Sequence, residues 1–304
     1  MREAKFCFRA DDRVSLLARR WLTDRPAKAV VQIAHGLAEH SARYRRLAQA
    51  LNGAGYAAYA FDLRGHGPEC APHDLGHFAD EDGWRNCVRD LWAFNRLIAA
   101  EHPGLPIVFL GHSLGSLIGR QFVATHSEAL AGAAFSGSSG KPPPIANLGR
   151  LIARLERLRL GKRGKSRLIF QMWFGDFNRP FRPARTPFDW LSRDPNEVDA
   201  YVADPLCGFP FTTQLAIDVL DALPRVTNRA SLAPIRQNLP IYVLSGERDP
   251  VGANIGSFVA DLKAAGFTKL TTRIYPGARH ETLNETNRDE VTRDFIVWLN
   301  EALM

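Results

Sequence analysis

The sequence predicts an α/β protein in which a mostly parallel, eight-stranded sheet is flanked by helices and interrupted by a helical cap insertion. Two observations lead to this prediction. Short apolar runs of strand length alternate along the chain with segments whose apolar residues recur at helical spacing, a pattern typical of parallel sheets covered on both faces. One long region carries no strand pattern and has the composition of packed helices.

The predicted strands begin with a hairpin and continue as buried runs. "FCFRA" and "VSLLARRWL" form the expected antiparallel hairpin at the sheet edge. The six apolar runs that follow lie at residues 29–34, 57–61, 106–110, 131–136, 240–245 and 270–275. Stripes of apolar residues at helical spacing lie between the runs and after the last one, at residues 44–51, 84–98, 255–262 and 291–299.

The region without strands predicts the domain organisation. We expect residues 1–139 and 239–304 to form the sheet-containing core and residues 140–238 to form the cap. The apolar stripe from Leu215 to Leu223 and the aromatic side chains between Phe170 and Trp190 predict an apolar underside for this cap.

Composition limits the class of protein. A chain of 304 residues with 45% hydrophobic and 23% charged residues is not disordered. It has neither the roughly 20-residue apolar run of a membrane-spanning helix nor the apolar core of a secretory signal at its start, so we expect a cytoplasmic location. Four widely spaced cysteines predict neither a zinc site nor a disulfide framework.

The net charge of +7 is concentrated in one segment. Residues 150–185 contain eleven basic side chains and two acidic ones. Two interpretations are open: the segment contacts an anionic membrane surface, or it is a solvated helix face whose leucines and isoleucine pack inward. The inward-facing residues would be Leu151, Ile152, Leu155 and Leu158. No nucleic-acid-binding motif accompanies the charge, so no nucleic-acid partner is expected.

The stretch "IVFLGHSLGSL" contains the first candidate catalytic residue. A strand-forming run ends in Gly111-His112-Ser113-Leu114-Gly115 and is followed by a helical pattern. A serine on such a sharp strand-to-helix turn is held above the sheet, and glycines on either side give the crowded backbones room. Ser113 is therefore the predicted nucleophile.

A serine nucleophile requires a histidine base that is oriented by a carboxylate. Asp249 follows the fifth apolar run in "SGERDPVG", and His280 follows the sixth in "YPGARHETLNE". Both lie just beyond the carboxyl ends of predicted parallel strands, where such sheets collect their functional residues. Glu247 is the alternative acid, and His280 is the histidine that follows the acid in the required order.

Two backbone amides are candidates for the oxyanion hole. The amide of Leu114 directly follows the nucleophile at a helix N-terminus, and the amide of Leu37 lies in the loop "AHGLAEHSARY" after the first buried strand. Donors of this kind stabilise the oxyanion formed during attack on a carbonyl, typically by a few kcal/mol.

The segments "HGLAEHSARY", "FDLRGHG", "GHSLGS", "SGERDPV" and "YPGARHETLNE" resemble the motifs of the monoacylglycerol lipase and bacterial lysophospholipase group of the α/β-hydrolase superfamily. The resemblance covers residues 29–137 and 240–304 and implies the same triad and oxyanion hole. It places Glu39, His40 and Arg43 beside the hole, where we expect them to form local hydrogen bonds. Pro68 after "GHG" and Ser116 at the end of the elbow depart from the group's pattern.

These features predict hydrolysis of a carboxylic ester through an acyl-enzyme, without a cofactor or a metal. The apolar cap and the resemblance favour a monoacyl lipid as substrate, either a lysophospholipid or a monoacylglycerol. Three alternatives stay open: an aminopeptidase, an acyltransferase of the same fold, and a catalytically silent binding protein.

Overall fold

The computed structural model describes residues 1–142 and 145–304 and contains one mixed sheet. The strands of this sheet are β1 (Arg2–Arg9), β2 (Ser15–Leu22), β3 (Ala29–Ala34), β4 (Tyr56–Phe61), β5 (Ile107–His112), β6 (Gly132–Ser136), β7 (Ile241–Gly246) and β8 (Leu270–Tyr275). They are arranged in the order β1-β2-β4-β3-β5-β6-β7-β8. The predicted eight-stranded sheet is confirmed.

The direction of the strands places the loops that carry the candidate site residues at one edge of the sheet. β1 and β2 pair antiparallel with each other, and β2 pairs antiparallel with β4. Every pairing from β4 through β8 is parallel. The loops that follow β3, β5, β7 and β8 therefore leave the sheet at the same edge, where open α/β sheets form their sites.

Helices cover both faces of the sheet. Those of the described residues are α1 (Arg45–Gly53), α2 (Gly83–Glu101), α3 (Leu114–His126), α4 (Ala146–Leu160), α5 (Arg167–Phe174), α6 (Pro195–Ala203), α7 (Thr213–Val226), α8 (Ile255–Ala264) and α9 (Arg288–Ala302). On β3, Val30 packs into one core cluster with side chains from α2, α3, α7 and α8, whereas Val31 packs into a second cluster with α1 and α9. Because strand side chains alternate between faces, both clusters need apolar residues in every central strand, which explains the continuous apolar runs.

Helices α4 to α7 lie between β6 and β7, within the region that the sequence assigns to a cap. A separate small cluster of buried side chains, formed by Trp190, Leu191, Tyr201 and Cys207, packs here with neighbouring phenylalanines. The division into a core of residues 1–139 and 239–304 and a cap of residues 140–238 stays a prediction.

The expectation that the leucines of α4 pack inward is wrong for Leu151, Leu155 and Leu158, which are 54%, 56% and 80% exposed. Ile152 is partly buried, and within α4 only Ala153 is fully buried. The inner face of α4 instead presents arginines to α7.

Two contacts explain this orientation of α4. Arg150 lies 3.0 Å from the Asp221 carboxylate, and Arg157 donates a 2.9 Å hydrogen bond to Gln214. Polar partners on α7 thus attract the arginine side of α4, and the leucine side is left facing solvent. Hydrophobic periodicity alone cannot reveal such partners.

Within the described part of the chain, none of the helices combines the length and the hydrophobicity that crossing a bilayer requires. The four cysteines are free thiols, of which Cys87 and Cys207 are buried, Cys70 is partly buried and Cys7 is exposed.

Candidate active site

The predicted nucleophile lies on a strained turn between β5 and α3. Ser113 has φ of +50° and ψ of −119°, a conformation that L-residues rarely adopt and that costs on the order of 1–3 kcal/mol. Its amide donates a 2.9 Å hydrogen bond to the Ser136 carbonyl. A Cβ atom at Gly111 would lie 2.7 Å from the Gly115 carbonyl oxygen, and one at Gly115 would collide with the Ala34 carbonyl oxygen. The elbow therefore requires glycine on both sides.

The loops after β7 and β8 bring Asp249 and His280 together. The Nδ1 atom of His280 lies 2.9 Å from Asp249 Oδ1, and both side chains are buried. Asp249 also accepts hydrogen bonds from the Val251 amide at 2.9 Å and the Ser245 hydroxyl at 3.3 Å. An ionised carboxylate can only accept, so Nδ1 carries the proton and Nε2 is left as the basic nitrogen.

The charges of this pair stabilise each other. Burial raises the pKa of Asp249, but the His280 charge and the hydrogen bonds to the carboxylate lower it by more. The net shift of this pKa is downward. Burial lowers the pKa of His280, but Asp249 more than offsets this effect, so the net shift is upward. Asp249 thus stays ionised and stabilises the protonated, imidazolium form of His280.

Glu247, the alternative acid, has a different environment. It is exposed, and its Oε2 atom accepts a 2.8 Å hydrogen bond from the Gly277 amide. The geometry therefore favours Asp249 as the partner of His280.

Ser113 and His280 line the same cavity. Close packing around Gly36 and Gly137 brings His112 near both side chains. A Cβ atom at Gly36 would lie 3.1 Å from Ser113 Cβ and 3.4 Å from His112 Cδ2, and one at Gly137 would lie 3.0 Å from both the His112 and the His280 Cε1 atoms. The described hydrogen bonds do not include one between Ser113 Oγ and His280, a bond that often tightens only when substrate is present.

His112 packs beside His280. Its ring centroid lies 4.8 Å from that of His280. Burial and the neighbouring His280 charge lower the pKa of His112 to about 4. It is therefore neutral near pH 7 and adds no positive charge next to the base.

The amides of Leu37 and Leu114, the predicted oxyanion donors, both belong to residues that line the cavity. Neither amide takes part in a hydrogen bond among the described residues, although both neighbours of Leu37 do. The Gly36 amide donates to Glu39 Oε1 at 2.5 Å, and the Ala38 amide donates to His66 Nε2 at 3.1 Å. Two donors are thus left available at the cavity wall.

A buried ionic cluster connects the loops that carry these groups. Arg43 donates to both carboxylate oxygens of Glu281 at 2.6 and 2.7 Å and to Glu39 Oε2 at 2.8 Å. Burial raises the pKa of Glu39, but Arg43 and neighbouring groups lower it to about 2. The expected local hydrogen bonding of Glu39 and Arg43 is present, but the sequence analysis missed Glu281, whose only signal was its position next to His280.

Residues of the predicted cap form an apolar wall of the cavity. The cap side chains that line it are mainly Trp173, Phe174, Phe177, Trp190, Leu191 and Val219. The Trp190 ring packs 5.1 Å from the His280 ring, and the Trp190 and Leu191 carbonyls accept hydrogen bonds from the His280 and Glu281 amides. The loop that carries His280 and the apolar wall are therefore hydrogen-bonded to each other.

One group of side chains in the described residues has the spacing of metal ligands: His40, Asp204 and Cys207. His40 Nε2 and Asp204 Oδ2 already form a 2.8 Å hydrogen bond. Burial raises the pKa of the Cys207 thiol well above its usual range, so the free thiol keeps its proton beside this pair. The chemistry of this group fits a structural hydrogen bond better than a metal centre.

The chain is similar to a family of known hydrolases. Residues 25–287 match the serine aminopeptidase S33 family. The chain is 28% identical to a monoacylglycerol lipase of Mycolicibacterium smegmatis over 92% of this chain and 90% of that protein. It is 26% identical to the human monoglyceride lipase over 94% and 87%, respectively.

Solved structures show the same fold. A thermostable carboxyl esterase from Bacillus coagulans, solved with glycerol, superposes with a TM-score of 0.91 at 27% identity and full coverage of both chains. A monoacylglycerol lipase of Paleococcus ferrophilus gives a TM-score of 0.67 over 95% of this chain and 100% of that one, at 24% identity. With the match over residues 25–287, these results show that the chain belongs to the serine aminopeptidase S33 family and is a hydrolase of the α/β-hydrolase fold.

Proposed function

We propose that this protein hydrolyses the carboxylic ester of monoacyl lipids, either monoacylglycerols or lysophospholipids, through an acyl-enzyme on Ser113. The observation that carries the proposal is the buried Asp249–His280 hydrogen bond at the rim of a cavity that Ser113 also lines. The monoacyl class rests on the apolar cap wall and on the relatives, which are named monoacylglycerol and monoglyceride lipases.

In the first half of the reaction, His280 Nε2 takes the Ser113 hydroxyl proton while Oγ attacks the ester carbonyl carbon. The carbonyl π electrons move to oxygen, and the Leu37 and Leu114 amides donate to this oxyanion. The intermediate then collapses: the bond to the leaving alcohol breaks, and His280 returns its proton to that alcohol. Ser113 is left as an acyl ester.

In the second half, water replaces the alcohol. His280 takes a proton from water as the water oxygen attacks the acyl carbonyl, and the same two amides hold the second oxyanion. Collapse breaks the bond to Ser113 Oγ, which recovers its proton from His280 and releases the fatty acid. The charge of Asp249 stabilises the imidazolium in both halves.

We further propose that the protein contacts anionic membranes through a surface of α4, α5 and their connection, here called the outer cap surface. Its exposed apolar side chains are Ile145, Leu148, Leu151, Leu155, Leu158, Leu168 and Met172. Exposed basic residues in the connection and at the start of α5, such as Lys162, Lys165 and Arg167, add positive charge. Apolar side chains with adjacent cations suit an anionic lipid surface.

Two measurements test the reaction. A fluorophosphonate probe should label the wild-type protein but not Ser113→Ala, while the control Ser231→Ala should be labelled normally. Wild-type protein should release fatty acid from monoolein or lysophosphatidylcholine with higher kcat/KM than from ethyl acetate. Labelling of Ser113→Ala, or no activity on either lipid, would refute the proposal.

The same substrates separate the alternative activities. Release of an amino acid from an aminoacyl arylamide, without any ester hydrolysis, would identify an aminopeptidase instead. The surroundings of Ser113 argue against this result, because the nearby carboxylates Glu39 and Glu281 are both engaged by Arg43 and so are poorly placed to bind a substrate amine.

A further inference from the structure

The short segment that carries the Leu37 amide is held in an unusual conformation. Ala38 has φ of +54°, a value that a residue with a Cβ atom adopts only at an energetic cost. The amides on either side of Leu37 are bonded to Glu39 and His66, as described above. The direction of the Leu37 N–H therefore depends on how firmly this strained segment is held.

The cap holds the same segment from the other side. The Ala38 carbonyl oxygen accepts a 2.9 Å hydrogen bond from the Tyr201 hydroxyl and another 2.9 Å bond from the Gly208 amide. Two residues further along the loop, His40 bonds to Asp204. Residues 201–208 thus contact the oxyanion loop at three points, and we call them the cap brace.

We propose that Tyr201 is a positioning residue for the oxyanion hole, fixing the Leu37 amide by holding the Ala38 carbonyl. This inference rests on the proposed hydrolase reaction and adds a role for the cap in transition-state stabilisation. The Ala38 carbonyl belongs to the Ala38–Glu39 peptide, and its two donors fix the orientation of that peptide. The preceding Leu37–Ala38 peptide is held by the bond from the Ala38 amide to His66. The strained turn at Ala38 is thus fixed on both sides, and its movement would displace the Leu37 N–H one peptide further back.

The Tyr201 ring is itself firmly placed. The Arg43 guanidinium lies 4.9 Å from its centroid, a cation–π distance, and the Phe188 ring packs at 5.1 Å. Burial raises the pKa of the Tyr201 phenol well above its usual range, so the hydroxyl keeps its proton and can donate. Arg43 also binds Glu39, so the same guanidinium supports both sides of the oxyanion loop.

Tyr201→Phe tests this role because it removes one hydroxyl and keeps the ring. We expect kcat for p-nitrophenyl butyrate to fall about 3- to 10-fold, the effect of one lost neutral hydrogen bond, while KM stays within about twofold. Affinity for a boronic acid that forms a tetrahedral adduct with Ser113 should fall by a similar factor. The butyrate ester has no glycerol or phosphate head group, so loss of a head-group contact cannot produce this pattern.

Tyr56→Phe is the matched control. Its hydroxyl donates a 2.7 Å hydrogen bond to Asn300, far along the chain from the site loops, and kcat should stay unchanged. Asp204→Asn weakens the brace at its contact with His40 and gives a second variant, with a smaller fall in kcat at constant KM.

The outcomes are distinct. Unchanged kcat in both brace variants, or a rise in KM without a fall in kcat, would overturn the positioning role. Equal falls in kcat and in melting temperature in Tyr201→Phe and in the control Tyr56→Phe would also overturn it. The lower kcat would then reflect a general loss of stability. Failure of the wild-type protein to hydrolyse the ester or to react with a fluorophosphonate would refute the proposed function first, and this inference with it.

Discussion

The loops around Ser113 and His280 and the outer cap surface differ in which side chains they bury and which they expose. Around the site, Glu39, Arg43 and Glu281 are largely buried, and each charge has a partner within 2.8 Å. On α4, Arg150 and Arg157 turn inward to α7, whereas Leu155 and Leu158 face solvent. One region is organised to hold a few atoms in place; the other presents apolar surface that the chain itself does not cover.

This contrast indicates that the two regions have different roles. Paired buried charges are costly to disturb, which suits groups that must stay oriented. Exposed leucines gain nothing in the isolated protein and gain free energy only when another apolar phase covers them. We therefore expect substitutions in the first region to change kcat or stability, and those in the second to change only the response to lipid surfaces.

The largest effect is expected at the base. His280→Ala should lower kcat by roughly four to six orders of magnitude, because the proposed base for the Ser113 proton is lost. The folded state should survive, since the substitution leaves the elbow glycines intact. Stopped-flow hydrolysis of p-nitrophenyl butyrate together with circular dichroism would check both statements. Substantial remaining turnover would mean that another residue acts as base.

A smaller effect is expected at the acid. Asp249→Asn should reduce kcat by about 10²- to 10⁴-fold, because the imidazolium loses its stabilising charge and the tautomer preference changes. Glu247→Gln, the control two residues away, should stay within about twofold. If Glu247→Gln were the damaging change, the 2.9 Å contact between Asp249 and His280 would not be the functional one.

The third prediction concerns stability. Arg43→Met leaves the carboxylates of Glu39 and Glu281 buried without their shared cation, so unfolding free energy should fall by about 3–5 kcal/mol. Arg45→Met, which removes only the exposed ion pair with Glu3, should cost under about 1 kcal/mol. Urea denaturation followed by tryptophan fluorescence compares the two. Equal losses of unfolding free energy in the two variants would contradict the expected difference between buried and exposed ion pairs.

On the other side of the comparison, Leu155→Gln combined with Leu158→Gln should weaken sedimentation with phosphatidylglycerol-containing vesicles by about tenfold. Hydrolysis of p-nitrophenyl butyrate should be unchanged. Val297→Gln, which replaces an exposed side chain on α9, should affect neither measurement. Vesicle binding that is unaffected by the leucine substitutions, or absent in the wild-type protein, would contradict the membrane proposal.

The smallest expected effect is a shift in pH dependence. The base must be neutral in the free enzyme, and the pKa of His280 is raised mainly by Asp249 against the effect of burial. The acid limb of kcat/KM should therefore lie above the ordinary histidine value of about 6.5. His112, with a pKa of about 4, should not contribute to this limb. A limb at or below 6.5 would show that the Asp249 charge does not dominate.

The sheet and the loop residues were predictable because local patterns specify them. The apolar runs predict the strands, and Gly111 and Gly115 identify the turn that Ser113 occupies. Asp249 could be favoured but not separated from Glu247, since only the fold shows which carboxylate reaches the histidine.

The cap was much less predictable. The orientation of α4 depends on Asp221 and Gln214, which lie more than fifty residues away along the chain. The contact of Tyr201 with Ala38 spans 163 residues. No sequence period reports such pairings, and hydrophobic spacing gave the wrong inner face for α4 because polar partners outweighed it.

The order of the strands has a consequence for synthesis of the protein. The proposed nucleophile and oxyanion loop follow β5 and β3, which are made before the proposed base, since His280 follows β8, the last strand of the sheet. With these roles, a ribosome-bound chain that already contains Ser113 lacks the group proposed to activate it. Under the proposed roles, esterase activity should appear only after β8 and the loop that carries His280 have docked, so turnover would report the completed fold.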